Sequence, residues 1–66
     1  MKRWNVKLKK EVENVSIDNF LKEIGKICKK YNFSIGHEDC HGGFQVVKYN
    51  ERYEKWLLGA SDNVDK

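Results

Sequence analysis

Only one stretch of this chain carries a helical apolar period long enough to organise a domain: VSIDNFLKEIGKICKKYN, residues 15–32. Ile17, Phe20, Leu21, Ile24, Ile27, Cys28 and Tyr31 fall on one stripe at the spacing of an amphipathic helix. Ser16 is the expected N-cap, because a hydroxyl there accepts from a first-turn N–H that has no helical partner. Val15 and Phe20 then stand where a hydrophobic staple would pack. Asp18 in the first turn and Lys29 and Lys30 in the last suit the helix dipole. Gly25 is the one weak link, since glycine in a helix interior costs about 1 kcal/mol against alanine. Close approach of another group is one reason to keep it.

With 66 residues the chain holds one domain at most, spanning 1–66. A chain this short buries only roughly 60 % of the surface its unfolded form exposes. Such domains often draw stability from a metal, disulfides or self-association. The charged fraction is 35 % and the hydrophobic fraction 39 %, a composition that folds. Eight aromatic residues give it large units to bury. Net charge is +3, and residues 1–30 hold nine Lys/Arg against four Asp/Glu. The basic half can either keep the surface solvated or meet an anionic partner.

Around the first helix the other elements read as follows. In RWNVKLKK, residues 3–10, Trp4, Val6 and Leu8 alternate with Arg3, Asn5, Lys7 and Lys9. That period of two predicts a strand with its apolar face inward and its basic face outward. NFSIGHE (32–38) and GGFQVVKY (42–49) predict two strands around a glycine-containing turn. The second carries Phe44 and Val46 on one face and Val47 and Tyr49 on the other, the pattern of a central strand. NERYEKWLLG (50–59) predicts a second helix, with Asn50 as N-cap and Gly59 as its stop. Residues 60–66 read as a polar tail that frays. The order β-α-β-β-α with a right-handed crossover predicts an α+β domain, one three-stranded antiparallel sheet in order 1-3-2 with both helices on one face.

The segment IGHEDCHGGF, residues 35–44, gathers two histidines, two acids and a cysteine. His37, Cys40 and His41, with Cys28 or Asp39, are zinc-ligand types, but structural zinc sites combine two separated ligand pairs and this is one crowded cluster. A Cys40–His41 pair can be written as a nucleophile and base, yet adjacent residues seldom meet that geometry and the chain has little room for an oxyanion hole. A plain reading is a turn in which Asp39 bonds backbone N–H groups while Gly42 and Gly43 supply positive φ. A fourth reading is a binding loop, in which His37 and His41 donate to a phosphate or stack on a base and Glu38 and Asp39 accept from a ligand or partner. Tyr49 and Trp56 would pack behind or beside them.

SIGHEDCHGGFQVVKYNERYEKWL, residues 34–57, resembles a family of small proteins from bacteriophages and prophages of Gram-positive bacteria. The shared pattern is S-apolar-x-H-E-D-x-H-G-x-F, an apolar pair, then Y-N-E and W-L. Ser34, His37, Glu38, Asp39, His41, Gly42, Phe44, Tyr49, Asn50, Glu51, Trp56 and Leu57 match it, and Cys40 falls at its variable position. The resemblance implies a small viral accessory protein acting in the host bacterial cytoplasm. It supplies a context and not a mechanism.

The function expected from these readings is a non-enzymatic binding protein that inhibits a host process, antiviral defence first. It would do so by binding a host protein or by sequestering a nucleotide-type ligand, through His37, Glu38, Asp39, His41, Tyr49 and Trp56. No catalytic residue, metal or cofactor is assigned. The alternative is a small basic nucleic-acid-binding regulator that contacts phosphates through Arg3, Lys7, Lys9, Lys22 and Lys26. A homodimer or higher homo-oligomer is expected in either case. No run approaches the roughly 18 apolar residues of a membrane span, and MKRWNVKLKK lacks the apolar core of a secretory signal. Two free thiols fit a reducing compartment.

Overall fold

A computed structural model describes residues 1–38, 40 and 42–64. The chain runs β1 (Lys2–Asn5), β2 (Lys10–Glu13), α1 (Val15–Tyr31), β3 (Phe33–Glu38), β4 (Gly43–Lys48) and α2 (Glu51–Leu58). The α+β class holds, but the single three-stranded sheet does not. There are two separate two-stranded antiparallel sheets, β1-β2 and β3-β4. Among the described residues no helix is long and apolar enough to cross a membrane.

The reason for two sheets lies in Asn5. The chain does not continue extended from Arg3 to Lys9. It reverses after Asn5, whose main-chain oxygen accepts from Lys9 N–H at 2.8 Å and whose side-chain oxygen accepts from Leu8 N–H at 2.8 Å. Lys9 takes the left-handed conformation, φ 55°, to complete the turn. The returning strand pairs Lys2 with Glu13 and Arg3 with Val12. The other edge of β1 is closed by the segment after α2. Val6 N–H donates to Asp62 O and Asp62 N–H donates to Trp4 O. With both edges occupied, β1 has no free ladder to offer β3 or β4.

The face of β1 is also the reverse of the expected one. Arg3 and Asn5 are buried, while Trp4 is half out in solvent and Leu8 is exposed. The Arg3 guanidinium donates to Leu58 O at 2.9 Å and Ala60 O at 2.8 Å, and it pairs with Asp18. It thus ties the carbonyl end of α2 to a carboxylate in the first turn of α1, both favourable positions for those charges. The Met1 ammonium also donates to Asp18, at 2.8 Å. Together the ammonium and the guanidinium hold the Asp18 carboxyl below its ordinary range.

A second polar knot lies beside the first. Asn14, not Ser16, caps α1: its oxygen accepts from Ile17 N–H at 3.2 Å. Its side-chain nitrogen donates to Asp62 at 3.0 Å, and Asn5 donates to the same carboxylate at 3.3 Å. These bonds lower the Asp62 pKa, the one from Asn14 most. Asp62 is buried, so residues 60–62, expected to fray, are docked. Asn32 ends α1 in the left-handed conformation, φ 60°, where its N–H reaches Cys28 O and Lys29 O.

The apolar stripe of α1 is only partly covered. Leu21 is the one apolar side chain among the described residues that is more than nine-tenths buried; Ile17, Ile24 and Cys28 are intermediate, and Phe20, Ile27 and Tyr31 are exposed. Val15 is exposed as well, so no hydrophobic staple forms. Strand β4, expected to be central, is an edge strand beside β3 alone.

Replacing Arg3 by leucine leaves the Leu58 and Ala60 carbonyls without their donor and takes from Asp18 one of its two cations. The Arg3→Leu chain should lose melting temperature on the order of 10 °C or more in thermal denaturation followed by circular dichroism.

Candidate functional site

The β3-β4 hairpin and α2 meet along a seam that two sequence features make possible. Asn50 caps α2, its oxygen accepting from Arg52 N–H at 2.8 Å, and its own N–H donates to Ser34 Oγ at 2.8 Å. Ser34 is buried, so this bond fixes the start of α2 against β3. One pleat further, Gly36 lies under the Tyr53 ring. A Cβ at position 36 would come within 2.8 Å of Tyr53 Cε1. Glycine is required there so that the ring can rest on the strand backbone.

A third tie comes from Glu54. Its carboxylate accepts from Tyr49 Oη at 2.7 Å and lies 3.6 Å from Lys29 Nζ. A Cβ on Gly25 would stand 2.9 Å from Glu54 Oε1. The helix-interior glycine is explained: the α2 carboxylate crosses α1 at that point. The hydrogen bond to Glu54, followed by desolvation and the negative charges nearby, pushes the Tyr49 phenol up to about 12.

Above the seam opens a cleft of about 440 Å³ lined by His37, Arg52, Tyr53 and Trp56. His37 projects from β3, on the same pleat face as Phe44, its cross-strand partner. The His37 and Trp56 rings are 6.0 Å apart between centroids and tilted by 49°. Trp56 is half exposed and Tyr53 half-buried. Arg52 is exposed, and among the described residues no carboxylate forms an ion pair with it. A flat indole, a phenol and a guanidinium therefore share one open concavity.

Of the residues named from sequence, His37 and Trp56 are brought together in this cleft. Tyr49 is not in it; its hydroxyl is spent on Glu54. Glu38 turns back on its own loop, accepting from Cys40 N–H at 2.7 Å, while Gly42 takes the left-handed φ of 69°. Asp39 and His41 lie outside the described residues. Among the described residues no three His, Cys, Asp or Glu side chains gather as a metal would need. Cys28 and Cys40 are both free thiols. Elsewhere Lys7, Lys9, Lys22 and Lys26 are exposed, but the Arg3 guanidinium is buried: its two terminal nitrogens donate to internal acceptors, while its Nε has no partner among the described residues.

Arg52 and Tyr53 were not among the candidate binding residues named from the sequence. Their spacing held the signal: 52, 53 and 56 are i, i+1 and i+4, which puts Arg52 and Trp56 one above the other on the helix. No protein-family model matches the chain, no curated protein matches its sequence, and no solved structure matches it.

Substituting Gly36 by alanine must displace the Tyr53 ring. Overpacking of that kind costs about 1–3 kcal/mol, and the variant should melt several degrees lower with weakened near-ultraviolet tyrosine dichroism. A second outcome follows from Tyr49. Its pKa is raised on folding, so its contribution to stability is complete below about pH 10 and is lost as pH climbs through about 12. Tyrosinate absorbance should show one late step that vanishes in Tyr49→Phe.

Proposed function

We propose that the chain is a non-enzymatic binding module whose cleft between β3 and α2 takes a nucleotide-type ligand, and that it inhibits a host process by sequestering that ligand. The single observation that carries the proposal is Arg52 standing without an internal ion pair beside the exposed Trp56 ring, in one cleft with His37 and Tyr53. A base gains attraction by stacking on an indole. A phosphate gains a planar, two-pronged donor from a guanidinium. The ring edge of His37 adds a further polar group at the mouth. At about 440 Å³ the cleft falls within the roughly 300–1,000 Å³ range of small-molecule sites.

In the bacterial host that the phage resemblance of residues 34–57 implies, a nucleotide signal that drives antiviral defence would be the target of such a module. The groups of the cleft fit retention of a ligand, the Trp56 and Tyr53 rings offering aromatic surface and Arg52 a cation. The nucleic-acid alternative is weakened by Arg3, whose guanidinium is held inside the fold. The lysines that remain are exposed on the β1-β2 turn and on α1, and Lys26 stands 3.7 Å from Glu23.

The test is fluorescence of Trp56 in a Trp4→Phe background, titrated with nucleoside monophosphates, nucleoside diphosphates and cyclic dinucleotides. At least one should give a saturable change, weakened about tenfold or more by Arg52→Ala through loss of a charge-assisted contact. No saturable change with any of them up to millimolar concentration, or equal binding by the Arg52→Ala chain, would overturn the reading.

A further inference from the structure

The chain exposes more surface than its size accounts for. Its accessible area is 5348 Å², whereas a folded monomer of this mass has about 4,400 Å². The excess is about what one partner buries in a standard interface, roughly 800 Å². Among the exposed apolar side chains are Phe44 at 73 % and Val46 at 62 % of full exposure. Both sit on β4, whose far edge pairs with no strand among the described residues.

That edge has a definite hydrogen-bonding register. Tyr49 N–H donates to Asn32 O, so by the alternation of an antiparallel ladder residues 43, 45, 47 and 49 turn their main-chain groups toward β3. Phe44, Val46 and Lys48 turn theirs outward. The strand is GFQVVK, with no charge before its last residue, no proline and no bulge. Natural edge strands carry such features to discourage pairing. Their absence here marks an edge meant to be covered.

We infer that two copies of this chain associate through their β4 edges, antiparallel about a two-fold axis at Gln45, to form one four-stranded sheet β3-β4-β4-β3. The outward-facing Phe44 of each copy then exchanges main-chain hydrogen bonds with Val46 of the other. Gln45 meets its own copy across the axis in a non-hydrogen-bonded pair. The two-fold keeps the same face up in both halves, so Phe44 of one copy lies on Val46 of the other, beside Ile35. A shallow apolar groove of about 240 Å³ runs from Val46 and Ile35 to Ile24 and Ile27 of α1, and the incoming Phe44 lands at its edge. Lys48 falls opposite Gly42 at each end, clear of the apolar rows. A contact of this kind is isologous and closes at two copies.

A cross-link reads the register directly. At a non-hydrogen-bonded antiparallel pair the two Cα atoms are about 4.5 Å apart, within the roughly 4.4–6.8 Å that a disulfide spans. In a Cys28→Ser/Cys40→Ser background, Gln45→Cys should oxidise to a covalent dimer in high yield. Lys48→Cys, about 20 Å from its own copy in this register, should not. Untreated wild-type chain should sediment at twice 7.8 kDa, and Val46→Lys should return it to one copy with its helical dichroism kept. A wild-type monomer at millimolar concentration overturns the inference. So does an assembly larger than two, or cross-linking through position 48 as readily as through 45. Should Val46→Lys fail to fold, the contrast between positions 45 and 48 still decides.

Discussion

One guanidinium holds this molecule together. Arg3 reaches from the first strand to the last carbonyls of α2 and to the first turn of α1, so three segments more than a dozen residues apart share a single cation. In most domains of this size a cluster of apolar side chains would do that. Here the buried groups at the same place are Arg3, Asn5 and Asp62, with Leu21 as the nearest thing to an apolar centre. A buried cation is tolerable when its charge is paired and its donors find acceptors; here Asp18 pairs the charge and both terminal nitrogens are bonded, while Nε is left over. The C-terminal end of α2 supplies a carbonyl that would otherwise be orphaned, and the first turn of α1 supplies the Asp18 carboxylate. The polar centre and the helix termini satisfy one another.

A polar centre has a consequence for the outside. The aromatic and branched residues that composition supplies must go somewhere, and Trp4, Phe20, Phe33, Phe44 and Val46 go to the surface. The Arg3 knot organises the N-terminal half and the C-terminal turn, while the β3-β4 hairpin is attached through α1 and α2. That attachment is made of small, directional contacts: Ser34 on Asn50, the Tyr53 ring on Gly36, Tyr49 on Glu54. It leaves one side of the hairpin engaged with α2 and the other side open. The cleft and the bare edge are the two products of that arrangement.

The parts of the fold governed by local chemistry could be read from the sequence. The long helix, the hairpin with its glycine turn and the Asn50-capped second helix depend on spacing and on caps within a few residues. The β1-β2 sheet could not be read, because alternation marks a strand without saying which face is inside. Arg3 and Trp4 are adjacent, and the usual preference for apolar burial chose Trp4. What reverses it is an acceptor set at Leu58 and Ala60, more than fifty residues away, which no local pattern carries. KEVE, residues 10–13, has one apolar residue and no visible period, so β2 was hidden in a run of charges. The same limit applies at the cleft. His37 and Trp56 stood out as residue types, whereas Arg52 looked like one more charge on a helix until α2 was seen to turn it toward the β3 side.

The cleft draws on β3 and the bare edge on β4, the two strands of one hairpin, so the proposed binding and the proposed association would be tied to each other. His37 in β3 is the cross-strand partner of Phe44 in β4, and in the proposed four-stranded sheet Phe44 would lie on Val46 of the second copy. A ligand that stacks on Trp56 and touches His37 would therefore press on a row that continues across the proposed two-fold axis to the other cleft. The row is a rigid one, since main-chain hydrogen bonds hold each neighbour at a fixed spacing. If binding at one cleft orders its hairpin, part of the ordering cost is already met for the second. Two clefts joined by one sheet would then fill with positive cooperativity, and the coupling would disappear with the β4 contact even though each cleft is built within a single chain.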